Sequence, residues 1–475
     1  MFFRRIKKLG ITKLFYKLRA AWVNFWSTKD VTKKIMYTLL LISIYVIGTT
    51  ITSPFVKINA GRSINDDSFL NTLNLVGGGG LNQFSIFALG ISPFINASLV
   101  MMILQSKLFP PVYKLSQSGP QGRRKINVIT RVITLVISYP QALFLTKSLS
   151  AGGARSAFIS IVPAFGMSQD LISYFILPLI LVAASLFVLF ISEQVTNKGI
   201  GNGTSLIIFC GIAMRLPSQF SSAYKILVGD LKSEGTFVGI INFSTYILIY
   251  LVVLMIITIV YNAERHIPIQ QTGAGRSRNI KEMGKLPIKL NPGGIMPIIF
   301  AMMVLSFPTM IANVFPGNSP AKFWINHNLQ FTQPLGLSLL ILITFVFSLL
   351  MGLQQSRVDK IAEDFAKSST FVPGLRPGEE TQDYLIGVVF RLSLFSGFYL
   401  VILVSMQFIQ IITGILAPQI AFGGTGMVIL VSVALETFSQ VSARRKSTKL
   451  AKAKRVTKKS FESNSSNKKG DGLLW

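Results

Sequence analysis

Long apolar runs, separated by short polar segments, dominate the chain. A helix that crosses a membrane needs about 20 mostly apolar residues, and ten runs approach or reach that length. They lie at 35–54, 84–104, 126–145, 171–191, 203–214, 237–260, 293–314, 334–353, 386–416 and 425–439. The second run is broken by Gly90 and Pro93, and the fifth and tenth are short. The pattern predicts an all-α, polytopic membrane protein with ten transmembrane helices.

Composition supports a membrane protein over a soluble one. Half of the 475 residues are apolar and only 14% are charged, whereas about a quarter of the residues in soluble domains are charged. The single cysteine excludes a disulfide scaffold.

The charge distribution orients the chain. The net charge of +29 could indicate a nucleic-acid binder. With a cytoplasmic N-terminus, however, 37 Lys and Arg residues fall on the cytoplasmic side and 8 outside, while Arg131 and Arg391 lie within spans. This asymmetry is the positive-inside pattern. It predicts a multi-pass protein of the cell membrane with both termini cytoplasmic, contact with anionic lipids, and no direct DNA binding.

The two ends of the chain differ from the spans. Residues 1–34 interleave basic and apolar positions, which predicts an amphipathic helix on the inner membrane surface. The tail, residues 442–475, is basic and rich in Ser and Asn, which predicts disorder.

An internal repeat divides the spans into two sets of five, at residues 35–236 and 237–441. Five crossings per half require the halves to be inverted. The second span contains Gly-Ile-Ser-Pro at 90–93 and the seventh contains Gly-Ile-Met-Pro at 294–297. The fifth and tenth spans also begin alike, with Gly-Thr-Ser at 203–205 and Gly-Thr-Gly at 424–426. Broken spans at matching positions of inverted halves point to a central pathway.

The four matching spans carry no charge at mid-depth. Backbone breaks in a bilayer are tolerated only against protein or a water-filled cavity, so these spans should line one. Their central side chains are mostly aliphatic, which suits a gate that closes by dewetting. The predicted pore-ring positions are Ile91, Ile95, Thr204, Ile208, Ile295, Met296, Ile299 and Ile429.

A glycine-rich segment precedes the second span. Residues 69–82 are weakly apolar, too short to cross a bilayer, and include four successive glycines. No Gly-Lys-Ser/Thr follows, so a phosphate-binding loop is disfavoured. A small mobile segment that returns into the outer side of the pathway fits better, because glycine hinges move at little cost.

Several long motifs resemble the SecY family, the central subunit of the Sec protein-conducting channel. They are Gly77–Gly79 with Phe84–Gly90, then Gly122–Lys125, Lys198–Phe209, Phe371–Glu379 and Phe422–Thr425. Their order and their placement on spans and loops match the family from about residue 33 to 440.

The resemblance implies an hourglass pore with an aliphatic ring, a plug and a lateral gate. The plug corresponds to residues 70–82, and its assigned residues are Leu70, Leu73, Leu75, Gly77, Gly78, Gly79 and Gly80. The gate is the surface between the second and seventh spans, with Ser92, Pro93, Asn96, Pro297 and Ile298. Thr204 stands where the family usually has an aliphatic residue.

The resemblance also implies partners. The loops at 262–289 and 354–383 correspond to those that receive a SecA-type motor ATPase or the ribosome, and their assigned basic residues are Arg265, Arg276, Arg278, Lys281 and Arg376. SecE-like and SecG-like small membrane subunits, or their accessory equivalents, and an unfolded secretory precursor are the other expected partners.

Two forms of the family remain open. The run at 286–302 resembles accessory SecY paralogues of Gram-positive bacteria, which export specialised glycosylated surface proteins, whereas Phe371–Glu379 resembles the housekeeping form.

Two other function classes remain as alternatives. A secondary transporter could share the inverted repeat, although it would normally keep a charged coupling residue in the membrane. An enzyme is disfavoured because the spans show no paired carboxylates or Ser/His set. We therefore expect no catalytic residues, no metal and no cofactor.

Overall fold

The structure of the chain is a computed structural model that describes residues 29–58, 74, 77–81, 83–105, 109–150, 158–162, 168–229, 236–271, 284–312, 319–418, 420–421 and 423–468. The predicted amphipathic segment up to residue 28 lies outside this part of the chain.

Helices account for most of the described residues, as the apolar pattern predicts. In chain order they are α1 (Lys29–Thr50), α2 (Ser92–Leu104), α3 (Pro110–Gln117), α4 (Gly119–Ser150), α5 (Gln169–Lys198), α6 (Gly203–Val228), α7 (Thr236–Asn262), α8 (Met296–Ala312), α9 (Pro320–Asn328), α10 (Pro334–Ser356), α11 (Val358–Lys367), α12 (Glu379–Ile412) and α13 (Gly424–Lys468).

The ten predicted spans correspond to ten of these helices. Eight of them are long and apolar enough to cross a membrane: α1, α4, α5, α6, α7, the α10 region, α12 and the first part of α13. The other two, α2 and α8, are shorter apolar helices, and they occupy the second place in each half. The ten-helix polytopic fold is therefore confirmed.

Several span lengths differ from the sequence prediction. The tenth span is not short, because its spanning part runs over Gly424–Thr448, and the helix of the second span begins only at Ser92. The fifth span is not short, because α6 runs for 26 residues and continues past Met214 through Arg215 and Pro217. The seventh span is shorter than its apolar run, because α8 starts only at Met296, after Gly294 adopts a left-handed φ of 61°. An apolar run indicates which residues are buried in lipid or protein. The residues at which a helix begins and ends depend instead on backbone conformation.

The all-α prediction omits two small sheets. Strands β1 (Val56–Ile58) and β2 (Ile159–Ile161) pair antiparallel. A second sheet has the order β4-β3-β5, with β3 at Glu264–Gln271, β4 at Gly284–Lys289 and β5 at Thr370–Phe371. Ile267 and Ile269, two residues apart in β3, are buried and half-buried, and this spacing puts both side chains on one face of the strand.

The end of the chain also differs from expectation. Residues 442–468, for which the composition predicts disorder, continue α13 as a helix. The stretch contains Ala, Lys and Arg, which have high helix propensity. Its first turns also contact the body of the protein, since Arg444 Nη1 donates to the Gly199 carbonyl at 3.0 Å.

Three apolar clusters organise the membrane part. One lies within the first half, around Leu81, Leu145 and Leu181. Another lies within the second half, around Ile298, Leu340 and Leu400. The third joins both halves, because it contains buried residues of α1, α2, α5, α6, α7, α8, α10, α12 and α13. The packing therefore places the four broken spans of the predicted pathway around one centre.

Candidate functional site

The shared cluster contains most of the predicted pore ring, and we call it the pore cluster. Six predicted positions are buried members of it: Ile91, Ile95, Ile208, Ile295, Ile299 and Ile429. Met296 packs against it from the edge. Every described member is apolar apart from the tyrosine hydroxyls, so water in this region would find few hydrogen-bond partners.

Thr204 is the exception among the predicted ring positions. Its Oγ1 donates to Asn202 Oδ1 at 2.8 Å, and the same oxygen accepts from the Thr204 backbone N–H. Asn202 is the N-cap of α6, so Thr204 belongs to the first turn of that helix. The side chain that the resemblance assigns to the ring is engaged in helix capping.

The glycine-rich segment is described only in part. Leu70, Leu73 and Leu75 lie outside the described residues, whereas Gly77 to Gly80 are present and mostly buried. The Tyr45 hydroxyl donates to the Gly78 carbonyl at 2.9 Å. A Cβ on Gly78 would lie 2.0 Å from that hydroxyl oxygen.

Close backbone contacts surround the same glycines. A Cβ on Gly90 would lie 1.8 Å from the Gly77 carbonyl oxygen, and a Cβ on Gly211 would lie 2.2 Å from the Gly78 carbonyl carbon. Gly78, Gly79 and Gly90 also have positive φ values of 88°, 87° and 52°. These glycines are required for close packing, which the sequence interpretation of glycines as hinges did not anticipate.

The two short helices α2 and α8 contact each other between the halves. Ile95 and Leu99 of α2, and Ile299 and Met303 of α8, are all buried members of the pore cluster. Because these residues share one cluster, the sides of α2 and α8 that carry them lie where the two halves meet.

The predicted gate residues at the start of α2 face their own half. Gln141 of α4 donates through Nε2 to Ser92 Oγ at 2.6 Å and accepts through Oε1 from Asn96 Nδ2 at 3.4 Å. Pro93 is in the first turn of α2, where its missing N–H costs no hydrogen bond.

The gate residues of α8 divide between two environments. Ile298 belongs to the cluster of the second half, with Leu340 and Leu400, and so faces away from α2. Pro297 is buried in the first turn of α8.

A polar network that the sequence interpretation missed anchors the turn before α8. Ser396 Oγ of α12 donates to Asn291 Oδ1 at 2.8 Å, and Asn291 Nδ2 donates to the Gly294 carbonyl at 3.0 Å. Ser348 Oγ of α10 donates to Ser396 Oγ at 3.3 Å. Polar residues inside apolar spans, such as Gln141 and Ser396, are the sequence signal that could have identified both networks.

The two loops assigned to partner docking form a single structure, which we call the docking platform. It consists of β3, β4, α11, β5 and the first turns of α12. Gln270 of β3 pairs with Phe371 of β5, which joins one loop to the other. Ile267, Ile288, Val372, Leu385 and Val388 form an apolar cluster beneath the sheet.

Arg376 has a fixed backbone and an exposed side chain in this platform. Its N–H donates to Glu380 Oε2 at 3.0 Å, and its carbonyl accepts from Thr381 Oγ1 at 2.7 Å. Both partners belong to the first two turns of α12, where acidic residues are favoured by the helix dipole. The guanidinium is thus presented from a rigid base.

The other assigned basic residues are less well defined. Arg265 is exposed on β3, while Arg276, Arg278 and Lys281 lie outside the described residues. On α11, the hydrogen bond and the charge of Lys367 lower the pKa of the Glu363 carboxyl.

Arg131, which the sequence places inside a span, is paired. Its Nε and Nη2 donate to the two carboxylate oxygens of Glu193 on α5, at 2.8 and 2.7 Å. A bidentate pair of this kind reduces the cost of a charge near lipid.

Comparison with known proteins agrees with this architecture. The family model named SecY matches residues 85–438. The protein translocase subunit SecY of Mycoplasma capricolum is 35% identical over 428 residues, which cover 88% of this chain and 87% of that protein. The subunit of the same name from Bacillus subtilis is 33% identical and covers 89% of this chain and 96% of that protein.

Solved structures show the same fold at low sequence identity. One described as the structure of a protein conducting channel aligns with a TM-score of 0.61 at 16% identity, covering 87% of this chain and 92% of that one. Sec61 in a canine ribosome-channel complex aligns with a TM-score of 0.56, also at 16% identity and the same coverage. Family model, identities and coverage agree: the chain belongs to the SecY family.

Proposed function

We propose that this chain is the pore-forming subunit of a protein translocase, which passes unfolded polypeptides across the membrane and, through a lateral gate, into it. The observation that carries the proposal is the pore cluster, built by the short helices and their neighbours from both halves. The relatives named protein translocase subunit SecY support the substrate class. The chain is not an enzyme.

The apolar pore cluster also favours a channel over a secondary transporter. Coupling sites in transporters place ionisable or polar groups at the centre of the membrane. The described members of the pore cluster are aliphatic and aromatic residues. An aliphatic constriction can exclude water and ions when narrow and can still admit a polypeptide when the halves separate.

Within that function, we assign the seal to the pore cluster and the exit to lipid to the joint between α2 and α8. Ile91, Ile95, Ile208, Ile295, Ile299 and Ile429 would form the ring, with Met296 at its edge. Gly77–Gly80, held by Tyr45, would form the base of the plug. Opening then requires separation of α2 from α8 and withdrawal of the glycine segment.

The docking platform is our assignment for the energy-supplying partner. A SecA-type motor ATPase or a ribosome would bind there, with Arg376 in contact with an acidic or phosphate-bearing surface. SecE-like and SecG-like small subunits would complete the complex. The charge asymmetry of the sequence supports a cell-membrane location with both termini and the platform on the cytoplasmic side.

A transport assay tests the proposal directly. The complex that contains this chain is purified with its associated proteins and reconstituted into vesicles, and protease protection of an unfolded precursor is measured with motor and ATP. We expect precursor to accumulate inside. Vesicles that instead accumulate a small solute against a gradient, and no precursor, would support the transporter and overturn the channel.

The accessory role stays a prediction. Comparing the secreted proteins of cells with and without this chain would decide it. Loss of only a few large glycosylated surface proteins indicates an accessory channel, whereas a general secretion defect indicates the housekeeping one.

A further inference from the structure

The short helix α9 has an exposed aromatic face with no protein partner among the described residues. Phe323 is 76% exposed and Trp324 is 54% exposed. His327, one turn further on, stacks on Phe323 with ring centroids 5.9 Å apart and an angle of 8° between planes. Two large aromatic side chains next to each other in water are unfavourable, so this face needs an apolar or interfacial environment.

The opposite face of α9 packs against the protein. Ile325 and Asn326 are half-buried and Leu329 is buried. Ser319 caps the helix, since its Oγ accepts from the Lys322 N–H at 3.3 Å. The helix contacts both α8 and α10. Its orientation, with the aromatic face turned outward, is therefore set by packing on one side and a cap at the start.

The position of α9 along the membrane normal follows from its neighbours. The helix α8 begins directly after β4 of the docking platform, and α10 ends directly before α11 of the same platform. The connection between α8 and α10 must therefore lie at the other end of both spans. This places α9 at the membrane surface opposite the platform, where a bilayer changes from acyl chains to headgroups.

The surroundings of α9 match that interface. The apolar surface continues onto the adjoining helices, because Ile311 of α8 and Leu342 of α10 are 55% and 61% exposed. Lys322 lies beside the aromatic face, and the sequence from residue 301 to 334 contains no Asp or Glu. Aromatic and basic side chains together are the residues that anchor proteins among phospholipid headgroups.

We propose that α9 is an interfacial lipid-binding element of the leaflet opposite the docking platform. Phe323 and Trp324 insert among the upper acyl chains, and Lys322 contacts lipid phosphates. Since α9 connects to the end of α8, the lipid contact holds the far end of the gate helix at a fixed depth. This assignment depends on the fold and the membrane, and not on the transported substrate.

Fluorescence of Trp324 tests the proposal. The chain has four tryptophans, at positions 22, 26, 324 and 475, so Trp22→Phe, Trp26→Phe and Trp475→Phe together leave Trp324 as the single tryptophan of this chain. The signal of a complex that also carries Trp324→Phe is subtracted as the contribution of the partner subunits. The purified complex is reconstituted into phosphatidylcholine and phosphatidylglycerol vesicles. We expect strong quenching by lipids brominated near the headgroup, weaker quenching by lipids brominated near the chain end, and little quenching by aqueous iodide.

Two control variants, built with Trp324→Phe, calibrate the signal. Tyr384→Trp places the reporter in the docking platform, and Phe398→Trp places it on an exposed apolar position of α12. Quenching of Trp324 by iodide as strong as for Tyr384→Trp, without an effect of brominated lipid, would mean an aqueous helix. Protection from both quenchers would mean a protein cover. Either result overturns the proposal.

A second measurement avoids the tryptophan substitutions, which could impair folding. A nitroxide is attached at Phe323→Cys in a Cys210→Ser background, and its collision rates with oxygen and with a water-soluble nickel chelate are compared. Oxygen collisions should dominate if the side chain is in lipid. Dominant nickel collisions would contradict lipid insertion, and low rates for both would again indicate a protein cover.

Discussion

At the scale of single residues, the chemistry of a side chain and its place in the packing give different information. Isoleucine at 91 or 208 is compatible with lipid, packing or a seal, and the sequence selects the seal only through the repeat. The structure places both residues in the pore cluster, with 1% and 2% exposure. Burial at a joint between two halves supports the seal, because a lipid-facing residue would be exposed.

Polar substitutions in the pore cluster should make the closed channel leak ions. The double change Ile91→Asn and Ile208→Asn should raise the closed-state ion conductance of the reconstituted complex by about tenfold or more, because amide groups stabilise water in a constriction that aliphatic groups dewet. Single-channel recording measures it. The control is Ile240→Asn, at a position of α7 that is 49% exposed. Equal conductance in the double mutant and the control would remove both residues from the seal.

Reversing the charge of Arg376 should impair coupling to the motor ATPase without impairing folding. Its exposed guanidinium is attached to a backbone that Glu380 and Thr381 hold in place, so Arg376→Glu should reverse the charge without disturbing the platform. We expect at least about a tenfold loss of motor ATPase stimulation on membranes. Lys225→Glu, at an exposed position in the last turn of α6 and outside the platform, is the matched charge reversal and should retain most stimulation. The docking role is wrong if Arg376→Glu stimulates as well as the unchanged chain.

Replacing Gly90 by alanine should cause a large loss of stability. An alanine at position 90 would have to adopt the left-handed φ of 52° that Gly90 has, and its Cβ would lie 1.8 Å from the Gly77 carbonyl oxygen. Strain and overlap together should destabilise the fold by about 3 kcal/mol or more. Thermal unfolding of the detergent-purified complex measures it. Gly387→Ala on α12 meets no atom within 4 Å of its Cβ and should change stability by less than about 1 kcal/mol. Similar Tm values for both variants would contradict the close contact at Gly90.

At the scale of elements, the short helices α2 and α8 show how the repeat becomes a joint. Both begin after a glycine with positive φ, at Gly90 and Gly294. Each is fixed at its start to its own half, α2 by Gln141 and the turn before α8 by Ser396. The middle of each helix, in contrast, contributes to the pore cluster. Each short helix is therefore anchored to its own half at its start and meets the other half through the pore cluster.

The contact between α2 and α8 indicates which residue pairs an engineered disulfide could join across the two halves. Cysteines at Leu99 and Met303, or at Ile95 and Ile299, should crosslink on oxidation in a Cys210→Ser background, and export should stop until the bond is reduced. A disulfide requires Cα atoms within about 7 Å, so neighbouring pairs along both helices are scanned. Ser92 with Ile298 is the control pair, because each of these residues faces its own half. Normal export by a fully crosslinked chain would contradict the gate.

At the scale of the whole molecule, the sequence by itself determined what depends on local pattern. Apolar runs of membrane length predicted all ten spans, because a bilayer imposes that length on each crossing. The odd number of spans per half and the repeated Gly-Ile-x-Pro segments predicted the inversion and the central aliphatic residues. The family motifs predicted a docking role for the loops at 262–289 and 354–383 and for Arg376, and that role stays a prediction.

Only the tertiary structure decided which side each residue faces and which distant segments meet. An apolar residue on a span gives the same sequence pattern whether its side chain contacts lipid, a neighbouring helix or the pore. Periodicity therefore could not show that Ile298 and Ile299 belong to different apolar clusters. The pairing of β3 with β5 joins Gln270 to Phe371 and Gln271 to Thr370, and strand pairing between residues so far apart in the sequence leaves no local signal. The close packing around Gly78, Gly79 and Gly80 could not be predicted either, because the neighbours of a glycine are fixed by the fold.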